Sequence, residues 1–237
     1  MIILAFDTCF SACSVAVRLP GHGRANSFSR FSLMEKGHSE RLVPMMSEVL
    51  TEAQITIGDV EAFAVTTGPG SFTGVRTGIA SARALALATG KPVHGTSSLH
   101  VMALGMRQTS PEGAIAIAIS TRDGLIYFQT FDGATASPKM EPCLISPQAA
   151  VEAMGGMAAY TIGGTGAGLV ATFASQQGLL LRLAAGRIDA DAARLANIAH
   201  DLPVLNPPRP LYLREPDAKP QAGMLVQRTD PTTEVSA

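Results

Sequence analysis

Apolar and polar residues follow two periods along this chain, and the order of those periods repeats. Residues 2–7 (IILAFD) are an apolar run ending in Asp-Thr, which predicts a first strand. Strands are predicted again over 13–19 and, by imperfect alternation of Phe28, Phe31 and Leu33, over 26–33. The period then changes. Leu42, Met45, Met46, Val49, Leu50 and Ala53 fall within an arc of roughly 140° at 100° per residue, so 39–53 reads as an amphipathic helix. Pro44 is awkward inside it and predicts a late start or a kink near Glu40–Arg41. A strand at 61–67 and a helix at 73–89, closed by Gly90 and Pro92, complete the unit. A short strand (92–95) and a helix (98–107) follow.

After the turn-rich stretch 108–113 (QTSPEG) the same order returns. Strands are expected at 114–120, 125–131 and 140–145, a helix at 147–154, a strand at 160–162, and helices at 165–176 and 190–200. Both halves read βββαβα, an α/β architecture duplicated in plan though not visibly in sequence. The expected division is a first lobe over 1–108, a second over 109–214, and a disordered tail over 215–237, where Pro216, Pro220 and Pro231 punctuate a polar stretch without periodicity.

Composition narrows the function classes. With 46% hydrophobic residues and a mean hydropathy of +0.23, the 237-residue chain can bury a sizeable core, and with no Trp that core must be aliphatic. The formal net charge of −1 disfavours a protein that grips RNA alone. The three cysteines (Cys9, Cys13, Cys143) form no C-x-x-C pair, which predicts a reducing, cytoplasmic setting. The opening MIILAFD has no basic leader and reads as a strand, and no stretch has the quality of a membrane span.

One segment stands out, TTGPGSFTGVRTG over 66–78. A glycine-rich turn between a strand and a helix can turn backbone N–H groups and hydroxyls toward an anion. Asp7 and Thr8, at the end of the first strand, could join such a site. The candidate nucleotide or anion residues are therefore Asp7, Thr8, Gly68, Gly70, Ser71 and Thr73. The competing reading is a tight turn that seats a helix close to the sheet. The small residues Gly74, Gly78, Ala82, Ala86 and Gly90 recur every four positions, as close packing requires. The spacing matches neither a P-loop nor a dinucleotide fingerprint. A formal G-x-G-x-x-A at 166–171 lacks the strand-end acid that would make it one. The histidines have no metal-ligand spacing, and no G-x-S-x-G or reactive cysteine context marks a nucleophile.

Three motifs carry a resemblance. FDTCFSACSVAV (6–17) resembles the first phosphate hairpin of the acetate kinase, sugar kinase, Hsp70 and actin superfamily, whose duplicated ribonuclease H-like lobes match the order derived above. GHSERLVPMMSEVL (37–50) and TTGPGSFTGVRTGIASARALA (66–86) closely resemble the TsaB (YeaZ) family, and PLYLR (210–214) resembles its C-terminal end. The similarity covers roughly residues 1–214. It implies a non-catalytic partner of TsaD in making threonylcarbamoyladenosine on tRNA, with TsaE as third member. It also implies a homodimer when TsaD is absent, tRNA reached only through the complex, no intrinsic cofactor, and a nucleotide at most at the boundary with TsaD. The helices at 39–53 and 73–89 would form the shared partner face. Its expected residues are Leu42, Met45, Met46, Val49, Leu50, Arg76, Ala80 and Arg83.

Departures from related patterns refine this. TsaD-type proteins carry N-H-x-x-x-H where this chain reads TSSLHVMA (96–103), so Ser98 and Met102 stand at the metal-histidine positions. The second phosphate loop, usually D-x-G-G, has no acid before the glycines of IGGTGAG (162–168). Family members often have Asp-Ala-Arg where this chain has Ser120-Thr121-Arg122. The alternative is a small-molecule kinase or ATPase of the same superfamily, against which the missing phosphate loop counts. A protease finds no nucleophile or metal site to support it.

Overall fold

The computed structural model describes residues 1–21, 26–107, 113–155 and 160–214. The expected tail, His22 and most of the expected linker lie outside them. Two five-stranded mixed sheets share one plan. In the first, β1 (Ile3–Asp7), β2 (Ala12–Arg18) and β3 (Ser27–Leu33) form an antiparallel meander. β4 (Ala62–Thr66) and β5 (Val93–Thr96) add in parallel on the other side of β1, giving the order β3-β2-β1-β4-β5. The second repeats it with β6 (Ala114–Ser120), β7 (Ile126–Asp132), β8 (Cys143–Ile145), β9 (Tyr160–Gly163) and β10 (Arg182–Leu183), in the order β10-β9-β6-β7-β8. The duplicated α/β plan expected from the periodicities is the observed one. The two-residue β10 has too little pattern of its own to be seen in the sequence.

Helices fill three layers. α1 (His38–Glu52) and α2 (Phe72–Thr89) cover the outer face of the first sheet. α4 (Pro147–Ala153) and α5 (Ala167–Gln176) cover that of the second. Between the sheets lie α3 (Ser98–Arg107) and α6 (Ala192–Ile198). Strand alternation sorts the side chains. Ile115, Ile117 and Ile119 of β6 face the shared central core, while Ala116 and Ala118 face α4 and α5. In β1, Ile3 and Ala5 face that same central core, and Leu4 and Phe6 face α1 and α2. α3, from the first half of the chain, packs on β6 and β7, whereas α6, from the second half, packs on β1 and β2. The lobes thus exchange a helix each.

Pro44 does not delay α1, which begins at His38 and runs through it. The proline is exposed, so the carbonyl that loses its helical partner is on the solvent side. Gly37, at φ 84°, provides the left-handed residue that starts the helix. No helix among the described residues is long and apolar enough to cross a membrane.

Candidate functional site

The motifs singled out in the sequence converge on one place, the β1–β2 turn. Thr8 Oγ1 donates to the Gly74 carbonyl at 2.7 Å, and the Ser71 N–H donates to the Cys9 carbonyl at 2.6 Å. His38 Nε2 lies 2.9 Å from the Phe10 carbonyl. A Cβ at Gly70 would collide with the Cys9 backbone, and one at Gly74 with the Thr8 carbonyl. At Gly78 it would stand 2.8 Å from Thr8 Oγ1. These glycines bring α2 against the turn, as the close-packing reading requires. Gly90 differs. It has φ 69° and nothing near its missing Cβ, so it serves as the left-handed cap of α2.

The anion reading of Asp7 and Thr8 needs correction, because both side chains are buried and already bonded. Asp7 is 1% exposed, accepts from Thr66 Oγ1, and lies 3.4 Å from the Cys9 N–H. Burial raises its pKa to about 6, despite those hydrogen bonds, and Asp189 adds to the rise. A buried carboxylate of this kind would repel a phosphate. Gly68, at φ 109°, turns the chain beneath Leu211. Ser71 caps α2 by accepting from the Gly74 N–H at 3.1 Å. Of the six candidates, only Ser71 and Thr73 present hydroxyls on an exposed rim, at the first turn of α2.

The partner-face residues divide the same way. Leu42, Met45, Met46 and Val49 are buried against the chain's own first sheet, so they are core and not an open face. The physical reason is that β2 lies directly under that arc, whose side chains join one apolar cluster with Val15, Val17, Phe63 and Val65. Leu50 is only half-buried. Arg76, Ala80 and Arg83 are exposed, as are Val43 and Leu87. On α2 the buried stripe is Gly74, Val75, Gly78, Ile79 and Ala82, which leaves the opposite stripe open.

Between the lobes lies a cleft of about 400 Å³, lined by Phe10, Ser11, Ser120, Gly164, Thr165 and Arg187 among others. Arg187 bridges it. Its Nε meets both oxygens of Asp189 at 2.9 and 2.8 Å, and its Nη2 donates to Ser11 Oγ at 3.1 Å. At the departure from Asp-Ala-Arg, Ser120 Oγ donates to Thr165 Oγ1, and the acid that does occur, Asp123, pairs with Arg214 at 3.4 Å. Ser98 and Met102 are buried in α3, where Ser98 Oγ donates to the Pro69 carbonyl at 2.6 Å. Among the described residues, no group of three or more His, Cys, Asp or Glu side chains could hold a metal ion. His38, Arg187 and Tyr212 were missed as site residues. The partners that place them in the site, Phe10, Ser11 and Arg76, lie 28, 176 and 136 residues away, beyond the reach of any local pattern.

Comparison with known proteins gives this geometry a lineage. The family model described as "TsaD: tRNA N6-adenosine threonylcarbamoyltransferase" matches residues 32–178. The chain belongs to this family. Its place within it is the TsaB (YeaZ) branch. It is 39% identical over 131 residues to the tRNA threonylcarbamoyladenosine biosynthesis protein TsaB of Escherichia coli, covering 55% of each chain. It is 42% identical over 77 residues to the tRNA N6-adenosine threonylcarbamoyltransferase of Erythrobacter litoralis, covering 32% of this chain and 22% of that one. A solved structure of YeaZ from Pseudomonas aeruginosa superposes with TM-score 0.71 at 27% identity, over 85% of this chain and 92% of that one. A second Pseudomonas aeruginosa structure, described as similar to peptidase YEAZ, reaches TM-score 0.78 at 27% identity over 90% and 99%. The chain spans about half the length of the curated relatives it matches.

Proposed function

We propose that this chain is a non-catalytic partner subunit that binds and activates TsaD in the threonylcarbamoyladenosine modification of tRNA. The single observation that carries the reading is the head of α3. The position of the TsaD metal histidines holds Ser98, bonded to Pro69, and Met102, packed in the central core. Neither side chain is free to coordinate an ion that would polarise a carbonyl. What the fold leaves open is the outer stripe of α2, beside the exposed edge of α1. On this reading TsaD docks there, a second copy takes the same face when TsaD is absent, and TsaE joins the complex. tRNA is reached only through it, in the cytoplasm. A nucleotide of the complex sits at the boundary with TsaD, where Ser71 and Thr73 offer hydroxyls beside Arg76. The kinase or ATPase alternative is disfavoured by the interlobe cleft. Its lining cation, Arg187, is already neutralised by Asp189.

The test is to incubate tRNA with an activated threonylcarbamoyl donor and ATP, with the chain alone and with TsaD and TsaE added. Threonylcarbamoyladenosine is expected in the complete mixture, little or none when this chain is left out, and none from the chain alone. Product from the chain alone would sink the proposal.

A further inference from the structure

The cleft between the lobes has two kinds of lining. Phe10, Met102, Ile119 and Ile188 are apolar and belong to the central core or pack against it. The other side chains are polar: the hydroxyls of Ser11, Ser120 and Thr165, and the pair Arg187 and Asp189. With one charge of each sign, the lining is neutral as a whole. The pair is joined in a way that leaves both partners with capacity to spare. A guanidinium grips a carboxylate best with two nitrogens. Here a single N–H, on Nε, is shared between both oxygens of Asp189, at 2.9 and 2.8 Å. Nη2 is taken by the carbonyl and hydroxyl oxygens of Ser11, at 3.3 and 3.1 Å. Nη1 has no hydrogen-bond partner among the described residues, so two donors of a fixed cation stand idle. Asp189 accepts from no other group among those residues, and its side chain is 16% exposed. Most of its lone pairs are therefore unused.

We propose that this cleft binds a free α-amino acid with a compact apolar side chain. The α-carboxylate accepts from Arg187 Nη1, and the α-ammonium donates to Asp189. The hydroxyls of Ser120 and Thr165, whose oxygens are 3.1 Å apart, offer the ammonium further acceptors. The ligand's side chain covers Phe10, Met102, Ile119 and Ile188. Charge decides against other classes of ligand. An anion gains Arg187 but meets Asp189, whose field already reaches the buried Asp7. A cation meets Arg187. A zwitterion carries both charges one carbon apart and leaves the neutral cleft neutral, so neither member of the pair loses its counter-charge. Size agrees, because about 400 Å³ lies at the small end of ligand sites. The site belongs to the chain by itself and goes beyond the partner-subunit reading.

The experiment titrates L-leucine into the full-length chain by calorimetry, with glycine, N-acetyl-L-leucine, L-leucinamide and ATP in parallel. L-leucine is expected to bind in about the millimolar range or tighter. Glycine leaves the apolar side chains uncovered and should bind about tenfold more weakly. N-acetyl-L-leucine has lost the ammonium and L-leucinamide the carboxylate, and each should lose about tenfold or more. Arg187→Gln and Asp189→Asn, with circular dichroism and melting to check each fold, should each weaken L-leucine about tenfold or more. The derivatives probe the same two contacts on the wild-type chain, so the result stands even where a variant fails to fold. No saturation by L-leucine up to about 10 mM overturns the proposal. Either derivative binding within about twofold of L-leucine does so too, since the charges are then not what the site reads. If both variants fold and keep wild-type affinity, the ligand sits elsewhere and the proposal fails. ATP that binds more tightly than L-leucine and displaces it makes the cleft an anion site, with the same consequence. None of these outcomes bears on the partner reading, which the tRNA assay tests separately.

Discussion

Asp7 is buried, unpaired by any cation among its hydrogen-bonding partners, and held near pKa 6. Its carboxyl binds a proton more tightly folded than unfolded, where the value is near 3.8. Between those values the native state carries more protons, so stability falls as pH rises through about 6 and is fullest below 3.8. At about 1.4 kcal/mol per unit, the ionised carboxyl costs about 3 kcal/mol at neutral pH. Asp7→Asn should therefore be more stable than wild type above pH 7, by up to about 3 kcal/mol. It should also flatten the pH dependence of urea unfolding between about pH 4 and 6. An unchanged slope would show that another group carries the effect. Gly74 is the opposite kind of residue, tolerant of nothing larger. Gly74→Ala drives a methyl into the Thr8 carbonyl, and a loss of about 1–3 kcal/mol is expected in thermal unfolding.

At the scale of elements, α1 and α2 look alike in sequence pattern but do different work. The apolar arc of α1 is spent on its own sheet. Met45→Ala should cost about 2–5 kcal/mol of stability, as for a fully buried methionine. Val43, 63% exposed on the same helix, should accept Asp with circular dichroism and melting temperature nearly unchanged. If Val43→Asp also abolishes the homodimer in light scattering, the edge of α1 belongs to the partner face. With the arc withdrawn into the core, Val43 and Leu87 are the most exposed large apolar groups of α1 and α2. Burying two such side chains yields a gross ~3–6 kcal/mol per copy, against an association cost of about 4–15 kcal/mol. The homodimer should be weak, and its mass in light scattering should fall on dilution.

The whole molecule is held by groups that cross between the lobes. Arg187 reaches Ser11, Ser14 Oγ accepts from the Ala192 N–H at 3.0 Å, and Ser97 donates to Gln129 at 2.9 Å. Arg187→Ala should lower stability by about 1 kcal/mol, since the side chain is half exposed and its hydrogen bonds are partly replaced by water. Its clearer signature should be faster amide exchange in the β1–β2 turn. Unchanged exchange there would mean the exchanged helices, not the side-chain bridge, hold the lobes. The duplicated plan and the tight packing at Gly74 and Gly78 were legible in the chain alone, because strand alternation, helical period and small-residue spacing are local. So was the helix at 39–53, but not what it faces. An amphipathic arc specifies that an apolar side will be buried. It does not say whether the chain's own sheet or another protein will do the burying. That was decided by the packing of α1 on β2 and β3, which draws Met45 and Val49 into one apolar cluster with Val15 and Val17. The same holds for the buried state of Asp7 and for the stack of Tyr212 on Phe72. Each depends on residues brought together across long stretches of chain, and no local pattern records such a meeting.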